Sequence, residues 1–341
     1  MKSQSSVHVT TIDEPTVDDI TIIADLPGVQ RVLFIAGWGR SGSTLFANLL
    51  GGSSSVQNLG EFRYLWARGL RGTTCGCGEV VLECPYWTEV LAQAEWSADD
   101  HALEAFDRRV GSTAIFRQLG ALVSGRVARY RSENRDDIDE IASILSAAAE
   151  PGVVILDSSK SIPFLINIFD DPRFAVDVLH LTRDPRAVAY SWSRLTDTKD
   201  ADGVTFPRFG PIRSSLYWTI FNLAPLCVRS VERRQLSYED FVANPRRTIE
   251  SICEHYSLEF PSGDWEDETT VSVDPQHTIS GNPSRFRLGA TSIREDERWK
   301  TEMMPRNRWI VTLCTAPARW ILKRAERRNG SPLTENSGAH P

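Results

Sequence analysis

Between residues 37 and 44 the chain reads GWGRSGST, and these residue types suit one task, gripping an anion. Three glycines let the backbone turn tightly, so that successive N–H groups converge on one point. Ser41, Ser43 and Thr44 add hydroxyls, and Arg40 adds a permanent positive charge. The spacing approaches the nucleotide pattern G-x-x-x-x-G-K-[ST], counted from Gly37 to Gly42, but Ser43 occupies the lysine position. ATP or GTP chemistry needs that lysine on the β- and γ-phosphates and a magnesium ion beside the hydroxyl. A phosphate held by arginine and backbone amides, without a metal, fits these residues better. Arg183 follows a further apolar run, and Ser191 lies eight positions on in the following segment. Lysine is scarce, occurring only at Lys2, Lys160, Lys199, Lys300 and Lys323, which draws attention to Lys160 in a polar turn.

Elements must position these groups. VLFIA (32–36) is a continuous apolar run of the kind that forms a strand buried on both faces. Ser43 is placed to cap a helix that Thr44, Leu45, Phe46, Leu49 and Leu50 continue, and Gly51-Gly52 stops it. Its N-terminus adds the helix dipole to the anion site. Residues 153–160, VVILDSSK, read as a second buried strand before the short helix of SIPFLINIF. A third strand covers 176–181, followed by Asp184 as N-cap, Pro185 at the first helical position and a helix to about 194. LSYEDFVANPRRTIESICEHYSL reads as a further short strand, a turn, and a helix that starts at Pro245. Strands that each empty into a polar loop and helix imply an α/β fold, a P-loop-like parallel sheet flanked by helices, with its site at the carboxyl ends.

Around this frame lie segments of other character. A helical insert or cap spans about 65–150, its helices running from Pro85 to about 149 with apolar residues at three-and-four spacing. The stretch 196–211 reads as a surface loop, 212–233 as helix, 261–290 as a long irregular segment and 306–327 as a last amphipathic helix. Residues 1–29 form an N-terminal tail, 30–330 a single domain and 331–341 a disordered end. A chain of 341 residues with 41% hydrophobic content supports a sizeable core. A net charge of −7 argues against a nucleic-acid partner, and no apolar run is long enough for an integral membrane segment. The polar, acidic N-terminus lacks the apolar core of a signal peptide, so the expected compartment is cytoplasmic. Cys227, Cys253 and Cys314 read as small core residues. Cys75, Cys77 and Cys84 cluster without an obvious fourth ligand; free packed thiols are preferred, with a disulfide or a metal as alternatives.

GWGRSGSTL together with Arg183 and Ser191, an R-x7-S pair, resembles the PAPS-dependent sulfotransferase family. The resemblance implies that Arg40, Ser41, Gly42, Ser43 and Thr44 hold the 5′-phosphosulfate and that Arg183 and Ser191 hold the 3′-phosphate. A ligand with phosphates at two ends does need two separate anion sites. Within the family the look is closest to the tyrosylprotein-sulfotransferase branch and its bacterial relatives. Glu61 in LGEFR matches that branch's base, Lys160 a lysine before an apolar helix, and SYEDFVANPRR a segment whose Tyr238 would touch the nucleotide. Arg285 and Arg287 in GNPSRFRLG look like a late basic loop that closes over the 3′-phosphate. The likeness covers roughly 31–61 and 153–256 and leaves out the insert.

What this implies is transfer of a sulfonate group from PAPS to a hydroxyl of a carbohydrate, lipid or small-molecule acceptor, leaving PAP, with no metal required. A peptide tyrosine is also compatible, as is a homodimer. In-line displacement needs a base, cations on the developing charge, and alignment. Glu61 is the chosen base, because Leu59, Phe62, Tyr64 and Leu65 around it should raise its pKa by desolvation. Small-molecule relatives use a histidine after the second strand, which DSSKSIP lacks; His180 reads as core and His277 as a substitute base. Arg40 and Lys160 would stabilise the transferring group, while Asp157 orients or caps its turn. The alternatives are a P-loop nucleotide kinase or phosphotransferase, which the missing lysine opposes, and a noncatalytic nucleotide-binding module.

Overall fold

The apolar run at 32–36 lies inside strand β1 (Gln30–Gly37), whose residues from Val32 onward are all buried. β2 (Val56–Gly60), β3 (Val154–Lys160), β4 (Phe174–Thr182) and β5 (Arg233–Ser237) complete a sheet of order β2-β3-β1-β4-β5, every pairing parallel. The computed structural model describes residues 28–96, 100–194, 207–228, 231–261, 263, 265–286 and 288–327. β1 is central, with β3 on one side and β4 on the other. Its carboxyl end is therefore where chain leaving the sheet opens a crevice.

Alternation along β1 divides the core. Val32, Phe34 and Ala36 join the cluster that contains Phe62, Trp66, Phe106 and Ile141, so one face of the sheet is covered by the insert. Leu33 and Ile35 face the opposite way, against Phe46, Leu50, Phe241 and Ile252. The Ser43–Leu50 helix covers that second face by burying Phe46, Leu49 and Leu50. The insert is helical as expected, with helices at Pro85–Gln93, Asp100–Arg109, Ile115–Val123, Val127–Glu133 and Arg135–Ala147. Trp66 stacks on Phe106 at 4.7 Å between ring centres, joining the insert to the end of β2.

Several expectations need correction. β2 forms although VQNLG has no apolar run to announce a strand; Asn58 is buried, donating to the Ala47 carbonyl and to Gln276 Oε1. Ser43 is not the cap: Gly42 holds the N-cap position at φ 88°, and no side chain caps that helix. Asp184 does cap the Pro185–Ser193 helix, accepting from the Arg186 amide at 2.8 Å. The helix expected over 212–233 spans Pro211–Leu223, then tightens into a 3-10 turn with Pro225 inside it. The segment 261–290 holds β6 (Thr270–Val273) and the start of β7 (Gly289–Ser292), paired antiparallel. Cys253 is buried, but Cys227 and Cys314 are exposed rather than core. Residues 1–27, 195–206 and 328–341, and Arg287, lie outside the described residues. Among those described, no helix is long and apolar enough to cross a membrane.

Candidate active site

At the end of β1 the backbone turns through Arg40 at φ 72° and Gly42 at φ 88° before entering the Ser43–Leu50 helix. Glycine at 42 is required twice over, since a Cβ there would sit 2.5 Å from Cδ2 of Tyr238. Arg40 has no such licence. A left-handed conformation costs an arginine about 1–2 kcal/mol, which the surrounding packing must offset. Burial lowers the pKa of the Arg40 guanidinium, and the Glu61 carboxylate opposes that shift. The Ser41 hydroxyl is buried with no hydrogen-bond partner among the described residues, as is Nε1 of Trp38.

β4 delivers Arg183 to the same loop. Its Nη1 donates to the Arg40 carbonyl at 2.9 Å, its Nη2 to the Asp296 carbonyl at 3.4 Å, and its face lies 4.1 Å from the Tyr238 ring centre. Tyr238 opens the helix after β5, where the Ser237 hydroxyl caps by accepting from the Asp240 amide. Ser191 is half-buried on the Pro185–Ser193 helix, next to Trp192, whose Nε1 donates to the Gly39 carbonyl at 3.3 Å. Trp192 also belongs to an aromatic wall with Trp38, Phe209, Tyr217 and Phe221.

On the other flank, the ends of β2 and β3 bring Glu61 and Lys160 together. Lys160 Nζ donates to Glu61 Oε1 at 2.6 Å and to the Ser158 carbonyl at 3.0 Å, and both side chains are nearly buried. Lys160, like Arg40, is a non-glycine residue at positive φ, 64°. Its bend coincides with irregularities in both β3 pairings at Asp157, the kind of distortion that aims a side chain. Asp157 shapes the turn by accepting from the Ser159 amide at 2.8 Å, and burial pushes its carboxyl up to about 6.

The expected pKa of Glu61 needs correction. Burial does raise it, but Lys160, Arg63 and Arg68 outweigh burial and hold the carboxyl below its ordinary value. The Lys160 ammonium is lowered by burial, with Glu61 opposing. The pair is therefore ionic, a buried carboxylate among three cations.

Two other expected residues are held by partners of their own. Arg285 is buried, with Nη1 on the Thr278 carbonyl at 2.9 Å and Nη2 on the Thr74 carbonyl at 2.8 Å, and it lines a small pocket with Thr44 and Ser158. His277 is no substitute base, since its Nδ1 lies 3.2 Å from Cys84 Sγ. His180 is core as expected, fully buried against Asn222 with its pKa lowered to about 4 by desolvation.

The family model described as the sulfotransferase family matches residues 33–262, from within β1 to just past the Pro245–His255 helix. This chain belongs to the sulfotransferase family. Among solved structures, the sulfotransferase domain from the Synechococcus PCC 7002 olefin synthase is 20% identical, covering 85% of this chain and 96% of that one, at TM-score 0.45. The sulfotransferase domain from the curacin biosynthetic pathway is 15% identical, covering 85% and 98%, at TM-score 0.46. A Mycobacterium tuberculosis H37Rv sulfotransferase is 15% identical, covering 71% and 70%, at TM-score 0.36. A comparison with curated proteins finds no match.

In this sulfotransferase the glycine-rich loop, Arg183 and Tyr238 form one connected group, and Glu61 with Lys160 forms a second beside it. Sequence reading missed Arg63 and Arg68, the cations that help keep Glu61 ionised. Their only signal was spacing, two and seven residues past Glu61; in the structure both also lie 4.3 Å from the Tyr64 ring centre.

Proposed function

We propose that this sulfotransferase moves the sulfonate of PAPS to a hydroxyl of a carbohydrate, lipid or small-molecule acceptor by in-line displacement, releasing PAP. The observation that carries this reading is the ionic Glu61–Lys160 pair at 2.6 Å beside a loop with a positive-φ arginine and a buried serine hydroxyl that has no partner among the described residues. Both strained positions hold cationic side chains where glycine would fold more easily, which supports a chemical role for Arg40 and Lys160. The acceptor oxygen attacks sulfur, the bond from sulfur to the bridging oxygen breaks, and its electron pair leaves on the nucleotide phosphate. The acceptor proton passes to Glu61. Arg40, Lys160 and the amides of Ser41 to Thr44 take the charge that develops on sulfonyl and bridging oxygens. Arg183, with Ser191, holds the far phosphate, and Tyr238 flanks it. We take 30–330 as the domain that does this, and the tyrosylprotein-like branch as the family's nearest match on Glu61, Lys160 and Tyr238.

The test combines binding with turnover. PAP is expected to raise Tm, ATP is not, and magnesium makes no difference; stabilisation by magnesium-ATP alone would overturn the reading in favour of a phosphotransferase. Glu61→Gln should lower turnover by about 10²–10⁴-fold with PAP affinity retained. Arg183→Ala should weaken PAP binding itself. Full turnover in the glutamine variant removes Glu61 as base, and PAP binding without any sulfonate transfer by wild type to mixed host extracts would leave only a binding module.

A further inference from the structure

Cys75, Cys77, Cys84 and His277 come from two segments far apart in the chain, yet their ligand atoms all lie within 4.8 Å of one another. Cys77 Sγ is 3.7 Å from Cys84 Sγ, and Nδ1 of His277 is 3.2 Å from Cys84 Sγ and 4.0 Å from Cys75 Sγ. The edges of a tetrahedron around zinc, with bonds of about 2.3 Å to sulfur and about 2.0 Å to nitrogen, run to about 3.5–3.8 Å. A disulfide would hold two sulfurs at about 2.05 Å and leave a thiol and an imidazole beside it without purpose. Three soft thiolates and one imidazole are the donor set of a closed zinc site.

The surroundings are built for these four groups. Cys75 and Cys77 lie on a tight turn in which the Cys75 amide donates to the Glu79 carbonyl at 2.7 Å. The intervening Gly76 allows the His277 segment to approach, since a Cβ there would sit 2.4 Å from the Gln276 carbonyl oxygen. Tyr86 stacks on the His277 ring at 4.8 Å, and Trp87 Nε1 donates to the His277 carbonyl at 3.0 Å. Cys75 and Cys84 are buried, Cys77 and His277 half-buried.

We propose that Cys75, Cys77, Cys84 and His277 bind one zinc ion as a structural Cys3His site. It clamps the start of the insert to the segment that frames the active site. Two residues past His277, Ile279 donates to the Leu59 carbonyl and accepts from the Glu61 amide, both at 2.8 Å. The clamp therefore fixes the backbone from which Glu61 projects, without touching substrate.

The experiment is metal analysis of the full chain purified without chelator from zinc-supplemented medium. About one zinc per chain is expected, with cobalt-loaded protein showing the visible absorption of tetrahedral thiolate coordination. His277→Gln and Cys84→Ser should lose the metal and lower Tm, whereas His277→Cys, which restores four ligands, should keep it. Should the ligand variants fail to fold, wild-type metal content, its cobalt spectrum and the His277→Cys variant still decide. Zinc below about a tenth per chain in folded, reduced protein overturns the proposal. So does stoichiometric iron in zinc's place, or a mass two hydrogens short, the mark of a disulfide. None of these readouts depends on PAP binding or sulfonate transfer, so failure here leaves the proposed reaction intact, and the reverse.

Discussion

Glu61 illustrates how neighbours decide the behaviour of a single side chain. Burial alone would make it a weak acid, but Lys160 at 2.6 Å, with Arg63 and Arg68, keeps it ionised below the ordinary carboxylate range. A base in that state is unprotonated across the neutral range, and the acid limb of kcat/KM should fall below the usual carboxylate pKa. The same depression means that Glu61 contributes stability above that range, lost as pH falls through its folded value. Lys160→Met removes the closest of those cations. Burial then prevails, the Glu61 pKa climbs, and the acid limb should move to higher pH, with kcat lower by about 10²-fold. A pH–rate profile checks this; an unmoved limb would mean that Lys160 does not set the charge of Glu61.

At the scale of elements, the site is a meeting of strand ends. β1 supplies the loop, β4 supplies Arg183, β5 leads into Tyr238, and β2 and β3 supply the acid and the lysine. The contact of Gly42 with Tyr238 locks two of these ends together. Gly42→Ala would force a side chain into φ 88° and into the Tyr238 ring, which lies 2.5 Å from the added Cβ. The expected cost is about 2 kcal/mol in denaturant unfolding together with weaker PAP binding. A variant with wild-type stability and PAP affinity would show that the loop adapts freely.

Across the whole molecule, the insert is part of the core rather than an appendage. One apolar cluster runs from Val32 and Phe34 on the sheet through Trp66 to Phe106, Ile138 and Ile141 in the insert. Trp66 is fully buried, and Trp66→Ala should cost about 3–5 kcal/mol. Sheet and insert should still unfold in one transition by fluorescence and circular dichroism, because the cluster is shared. Two separated transitions would show that the insert folds on its own.

Local chemistry made part of this protein legible in order. The apolar runs of β1, β3 and β4, the Asp184-Pro185 helix start and the glycine-rich turn are short-range signals, and each appears where its residues place it. β2 escaped because its buried apolar residues, Val56 and Leu59, are separated by Gln57 and the buried Asn58, so no apolar run marks the strand. The two backbone carbonyls that hold Arg285 are not legible from its spacing. The pairing of Glu61 with Lys160, the depressed Glu61 carboxyl and the arrival of His277 among three cysteines join residues about 100 to 200 positions apart. Sequence determined which residue types and local elements were available. Only the tertiary structure decided which charges and ligands share a site, because Coulomb energy, desolvation and coordination depend on distance in space.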